Sequence, residues 1–338
     1  MINFQYTRAS DLADAVSQIA ADPKAKFIAG GTNLIDLMKE DVERPSRLID
    51  ISRLPLNTVE ETAEGGLRIG ALVPNSDLAY HPLIAQRYPM LASAILAGAS
   101  PQLRNMASTG GNLLQRTRCY YFYDIATPCN KREPGSGCSA IAGLNRMHAI
   151  LGTSEACIAT HPSDMCVALE ALDATIHVAG PAGARTIAFA DFHRLPGEVP
   201  QRDTNLEPNE IVTAVELPGQ GFAANYTYLK IRDRLSYAFA LVSVAAGLEL
   251  EGHTIREARL ALGGVAHKPW RDPSAEAALR GQAAGQPTFA RAADLVLRDA
   301  KGFEHNAFKI DLARRAILRA LTQAAAGTPQ SQSNKKIR

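Results

Sequence analysis

Five cysteines, Cys119, Cys129, Cys138, Cys157 and Cys166, fall within 48 consecutive residues of a 338-residue chain, and the rest of the chain has none. The first four are spaced C-x9-C-x8-C-x18-C, and no C-x-x-C pair occurs. Closely spaced pairs mark structural zinc sites, which disfavours zinc here, whereas four thiolates on an irregular loop can hold a four-iron cluster. An odd count argues against a disulfide framework, as does an N-terminus (MINFQYTRAS) without the charged-then-apolar pattern of a secretion signal. Cys166, between Met165 and Val167 in an apolar helical repeat, reads instead as a buried core thiol. The loop also carries Arg116, Arg118, Lys131 and Arg132. Such cations can offset the charge of a thiolate-bound cluster, although any one of them alone reads as solvated surface charge.

Two glycine turns form a second group. Ala29-Gly30-Gly31-Thr32-Asn33-Leu34 lies between an apolar strand pattern and a helical one, where glycine permits close backbone approach and a helix start offers amides to an anion. Alone it reads as a tight strand-to-helix turn. Ser108-Thr109-Gly110-Gly111-Asn112-Leu113 repeats the combination of small hydroxyl residues, paired glycines and asparagine, which suits phosphate or ribityl oxygens. The match of Gly135 to Ala140 to G-x-G-x-x-A follows no strand and is accidental. Neither G-x-x-x-x-G-K-[ST], H-E-x-x-H nor G-x-S-x-G occurs, so nucleotide hydrolysis, zinc proteolysis and α/β-hydrolase chemistry lack their usual parts.

The elements that must position these residues alternate at first. A helix is expected near 11–21, a strand at 26–29, a helix at 33–39, and strands at 47–51 and 67–73. A small-residue helix at 89–99 is followed by a long irregular stretch carrying the cysteines, and the next helix spans 163–172. Strands are then expected at 175–178, 186–189, 211–217, 226–232, 239–250 and 256–262, with helices near 288–300 and 308–325 and a frayed tail. The stretch 218–224 is the best domain boundary. A hydrophobic fraction of 46% provides for an ordinary core, and a net charge of +2 gives no case for nucleic acid or an anionic membrane. No apolar run is long enough for membrane insertion.

KFIAGGTNLIDLMK (26–39), STGGNLLQ (108–115), HPSDM (161–165) and YLKIRDRLSYAFALVSVAA (228–246) resemble the flavin-binding subunit of the molybdenum hydroxylases, the xanthine dehydrogenase family. The likeness spans nearly the whole chain. RTRCYYFYDIATPCNKREPGSGCSA (116–140) and GTSEACIATHPSD (152–164) are most similar to the flavin subunit of bacterial periplasmic aldehyde oxidoreductases, whose middle segment binds a four-iron cluster. The resemblance implies an α+β fold. A two-part FAD-binding domain would cover 1–220, split near 58, with an iron–sulfur loop at about 116–160. A C-terminal domain over 225–326 and a flexible tail over 327–338 would follow.

It further implies that Phe27, Ile28, Ala29, Gly30, Gly31, Thr32, Asn33 and Leu34 cradle the FAD pyrophosphate. Ser108, Gly111 and Asn112 would contact the phosphate and ribityl portion, Asp164 the ribityl hydroxyls, and Val212 and Lys230 the adenine or isoalloxazine. Read without the family, Asp164 is a helix-start acid and Lys230 an edge-strand charge. Cys119, Cys129, Cys138 and Cys157 would ligate one [4Fe-4S] cluster. No catalytic residue is assigned. The expected partners are a molybdenum-cofactor large subunit and a [2Fe-2S] small subunit, in a heterotrimer that delivers electrons through FAD to an external acceptor. Two rivals remain: the flavin subunit of a 4-hydroxybenzoyl-CoA reductase-like enzyme, and a metal-stabilised structural subunit. The resemblance implies a periplasmic location by export with a twin-arginine-bearing partner, whereas the sequence by itself says cytoplasm.

Overall fold

The computed structural model describes residues 1–332. Strands β1 (Gln5–Arg8), β2 (Ala25–Ile28) and β3 (Arg47–Asp50) form a parallel sheet of order β1-β3-β2. Parallel neighbours need a crossover, and the helix Leu12–Ala21 supplies one. Asp11 caps this helix by accepting from the Asp14 amide, and Ala15 and Ile19 bury its inner face against Ile49 and Ile51. The chain leaves the C-terminal end of β2 through the first glycine turn and enters the helix Leu34–Lys39. Open parallel sheets present ligand sites at this end of their strands.

Strands β4 (Val59–Glu61), β5 (Leu67–Gly70), β6 (Thr175–Gly180), β7 (Gly183–Ala188) and β8 (Ile211–Leu217) make an antiparallel sheet of order β4-β5-β8-β6-β7. Everything between β5 and β6 is one long excursion holding the second glycine turn and the cysteine loop. It closes with the helix Asp164–Ala171, whose eight residues are all buried. Strands β9 (Tyr226–Ile231), β10 (Val242–Glu251), β11 (Thr254–Gly263) and β12 (Trp270–Arg271) form the third sheet, order β12-β11-β10-β9. The helices Pro273–Leu279, Gln286–Val296 and Phe308–Ala325 share an apolar core with it, in which Ala313, Ile317 and Leu321 join Val244 and Leu248. The helix Asp164–Ala171 packs against both the helix Pro89–Ala97 and β10–β11, so its N-terminus lies at the junction of the two halves.

Most expected elements form within one to three residues. Four expectations differ. The run from Phe239 becomes a strand only at Val242, because 232–241 make a loop in which Tyr237 has φ +48°. Phe189, expected to end a strand, opens the short helix Phe189–Phe192. The stretch expected to be irregular contains the helices Pro101–Met106, Thr109–Leu113 and Tyr120–Tyr123, each too short to display an apolar period. The tail expected to fray from residue 327 starts as a pinned segment: the Gln330 amide donates to Thr227 Oγ1, and its side-chain oxygen accepts from the Lys230 amide. The remainder of that expectation, 333–338, lies outside the described residues.

Candidate functional site

The first glycine turn is held open by its neighbours. Gly31 has φ +71°, a conformation that favours glycine, and a Cβ on Gly30 would lie 1.8 Å from the Met106 carbonyl oxygen. The turn is thus pressed against the end of the helix Pro101–Met106, immediately before the second glycine turn. Asn33 Oδ1 accepts from the Arg116 amide at 2.8 Å, a second tie between the two regions. Among the described residues, the five amides from Gly30 to Leu34 donate no hydrogen bond, and this stretch is half-buried. Unpaired backbone donors lining a partly enclosed turn are a receptor for an anion such as pyrophosphate. Phe27, Ile28 and Ala29 lead into it from β2, also half-buried.

The second turn has a different function. Its amides are already used: Thr109 donates to Val73 O, Gly110 to Ala71 O, Gly111 to Ser108 Oγ and Asn112 to Ser108 O. Gly110 is there for packing, since a Cβ would sit 3.1 Å from that of Ala71. The amides expected to gather around phosphate are thus engaged within the fold, and the turn's polar side chains are what remain. Asn112 Oδ1 accepts from Ser163 Oγ at 2.6 Å and from Gln115 at 2.9 Å, joining the turn to the start of the helix Asp164–Ala171.

Asp164 lines a partly open cavity together with Arg118, Cys119, His148, His161 and Phe239. Its carboxylate accepts from Tyr228 Oη at 2.6 Å and from Lys230 Nζ at 2.8 Å. Burial, followed by the Asp164 charge, pushes the Tyr228 phenol well above its usual range, so it stays a donor. Lys230 does lie on an edge strand, yet it points inward and is buried in this ion pair, not solvated. Val212, expected near the flavin, is a core residue of β8 packed among other apolar side chains and does not line the cavity. Lys230→Met would leave the Asp164 carboxylate buried without its cation. We expect a loss of about 3–5 kcal/mol in urea unfolding, the range seen when one partner of a buried pair is removed.

Cys119, Cys129, Cys138 and Cys157 line one second cavity, of about 290 Å³. Gly135 (φ +87°) and Gly137 (φ +105°) fold the 129–138 segment so that Cys129 and Cys138 face each other in a bridge. Asn130 accepts from the amides of both glycines and donates to Ala156 O, which brings Cys157 alongside. Burial pushes the Cys119 thiol up to about 12 and the Cys157 thiol to about 11. Thiolates there need a cationic partner, and the surroundings are suited to one: the Ala159 amide donates to Cys157 Sγ at 3.4 Å, and His148 Nε2 lies 3.1 Å from Cys119 Sγ. Thr117 and Cys119 line both cavities, forming a common wall.

Of the four loop cations, Lys131 alone lines the cysteine cavity and acts on Cys157. Arg116 pairs with Glu43 and Asp203, Arg132 donates to the Tyr121, Phe122 and Thr127 carbonyls, and Arg118 lies over the Phe239 ring beside the larger cavity. Burial would raise the Asp203 carboxyl, but Lys131 and then Arg116 outweigh it and hold it well below the usual carboxylate range. A depressed carboxyl contributes stability above its unfolded value, roughly pH 3.9, which is lost as pH falls toward the folded value. Asp203→Asn should therefore flatten the fall in urea midpoint between about pH 5 and 3. Retention of the full acid slope would place its origin elsewhere. Sequence reasoning missed Tyr228 and His148. The first was accessible, being two residues from Lys230 on one strand face, whereas His148 belongs to no motif.

Residues 2–220 match the model of the FAD binding domain in molybdopterin dehydrogenase, and residues 226–324 that of the CO dehydrogenase flavoprotein C-terminal domain. The aldehyde oxidoreductase FAD-binding subunit PaoB of Escherichia coli (strain K12) is 51% identical over 324 residues, covering 96% of this chain and 98% of the relative. The structure of carbon monoxide dehydrogenase from Hydrogenophaga pseudoflava superposes with a TM-score of 0.75 at 27% identity, covering 97% of this chain and 99% of that one. Quinoline 2-oxidoreductase from Pseudomonas putida 86 gives 0.74 at 26% identity, covering 97% and 98%.

Proposed function

This chain belongs to the FAD-binding medium subunits of the molybdenum hydroxylases and is an oxidoreductase subunit, and from that premise we propose that it serves an aldehyde oxidoreductase as a carrier of both FAD and one [4Fe-4S] cluster. The observation that carries the reading is the common wall: the cavity ringed by Cys119, Cys129, Cys138 and Cys157 adjoins the larger one through Thr117 and Cys119. The likeness to PaoB supports the aldehyde assignment.

In this reading the flavin supplies two-electron chemistry able to couple one-electron carriers to an acceptor. The chain's own residues hold and orient it. Gly30 to Leu34 present five amides to the pyrophosphate, Asn112 and Asp164 receive ribityl hydroxyls, and Lys230 holds the Asp164 carboxylate in place. Phe239 and Gly263–Gly264 line the same cavity. Ligation by the four cysteines closes a loop that has almost no core of its own, Leu37, Phe122 and Cys129 being its small apolar cluster. Aldehyde oxidation is assigned to a molybdenum-cofactor large subunit, with [2Fe-2S] clusters of a small subunit passing electrons to this chain and on to an external acceptor. Export of the folded assembly on a partner's twin-arginine signal would place it in the periplasm.

The test is anaerobic addition of an aldehyde to the purified multi-subunit complex while the flavin absorption is followed. The account expects the oxidised flavin band to bleach and to return when acceptor is admitted. An oxidised flavin throughout turnover, with acceptor still being reduced, would remove this chain from the electron route.

A further inference from the structure

Behind the larger cavity lies a second set of metal-type donors that the flavin and the cysteine loop do not use. His161, Cys166 and His193 offer donor atoms that all lie within 4.8 Å of one another, the group of three or more found among the described residues. His193 and Cys166 are buried, and the His161 and His193 rings lie with centroids 4.3 Å apart and planes tilted by 51°.

A hydrogen bond settles which His193 nitrogen carries the lone pair. His193 Nε2 lies 2.9 Å from the Leu113 carbonyl oxygen, an acceptor, so Nε2 carries the proton and Nδ1 the lone pair. That Nδ1 is buried and has no partner; nor has His161 Nε2. His267 is oriented in the same way, with Nδ1 donating to the Arg194 carbonyl at 2.8 Å and a buried Nε2 that makes no hydrogen bond and lies 3.7 Å from the Asp203 carboxylate. A ring nitrogen bonded to a backbone carbonyl, with its opposite nitrogen free, is how proteins orient metal-binding histidines. Two buried imidazole nitrogens without a partner, His161 Nε2 and His193 Nδ1, in one small group with a buried thiol are otherwise costly, since a buried polar atom without a partner forfeits its hydration.

We propose that His161, Cys166 and His193 bind one divalent ion of the zinc class, with His267 adjacent as an orienting or fourth group. Two neutral imidazoles and one thiolate form a ligand set this class of ion accepts, and binding displaces the Cys166 proton to solvent. The Asp203 carboxylate, which acts electrostatically on His161 and His193, supplies nearby negative charge for the ion. Because Cys166 begins in the first turn of the helix Asp164–Ala171, such an ion would fix that helix start, and with it Asp164, at the cavity wall.

The test uses the full chain and zinc itself. The Cys129→Ser chain, whose four-cysteine site is broken, is dialysed against zinc, its zinc content is measured, and the metal edge is examined by X-ray absorption. The proposal expects one zinc per chain with a single sulfur and nitrogen neighbours, falling at least tenfold in occupancy in Cys129→Ser/Cys166→Ala. His193→Gln, which keeps the thiol, should show the same loss if the cysteine variant fails to fold. No retained zinc, zinc bound by several sulfurs, or equal zinc in the parent and the Cys166→Ala and His193→Gln chains would overturn it.

Discussion

The Cys129→Ser chain should be isolated without its four irons. Cys129 is buried, faces Cys138 in a backbone bridge, and is one of three buried apolar residues beneath the loop. Serine is a poor ligand to iron and would place a hydroxyl in that small core, so both the metal and the packing beneath it are lost. The same change at Cys119, Cys138 or Cys157 should also abolish the cluster, because each lines the same cavity. Cys166→Ser is the internal control: Cys166 lies in the fully buried helix Asp164–Ala171 and does not line the cysteine cavity, so its iron should be retained. Low-temperature paramagnetic resonance after reduction, with iron content, decides the matter. An unchanged signal in Cys129→Ser would exclude that residue as a ligand.

The Gly30→Ala chain should fail to hold FAD. The new Cβ would lie 1.8 Å from the Met106 carbonyl oxygen and 2.6 Å from its carbon, both backbone atoms that cannot swing aside. The turn must lift from the helix end, and the Gly30–Leu34 amides would then no longer converge. Losing two charge-assisted hydrogen bonds at about 1.5–3 kcal/mol each predicts at least a hundredfold weaker flavin affinity. Gly111→Ala should be much milder. Its Cβ would meet only Ser108 Oγ, at 2.9 Å, a side chain that can turn away. Equilibrium titration of the flavin-free chains with FAD measures both, and equal affinities would show that the first turn does not contact the cofactor.

Those contrasts mark what the sequence made legible. The four loop cysteines stood out because their glycine, proline and polar surroundings have no core pattern, while Cys166 sat in an apolar repeat; the structure places them in separate environments. The strand Ile211–Leu217 and the helix Phe308–Ala325 were read to the residue, because each carries a long periodic pattern. At the second glycine turn composition could not show where amides are already bonded, and Thr109 through Asn112 spend theirs on Val73, Ala71 and Ser108. Burial and pairing were not legible by position: Val212 has a core side chain, and Lys230 pairs with Asp164, a partner 66 residues away that no local pattern announces.

The account's central claim is that one chain carries FAD and a four-iron cluster side by side. Extracting flavin, iron and acid-labile sulfide from the purified chain, with paramagnetic resonance of the reduced sample, tests it most directly. We expect one FAD, four irons and four sulfides per chain, with a single reduced-cluster signal, as the ring of Cys119, Cys129, Cys138 and Cys157 requires. Stoichiometric flavin with no iron or sulfide, after isolation without oxygen, would contradict it.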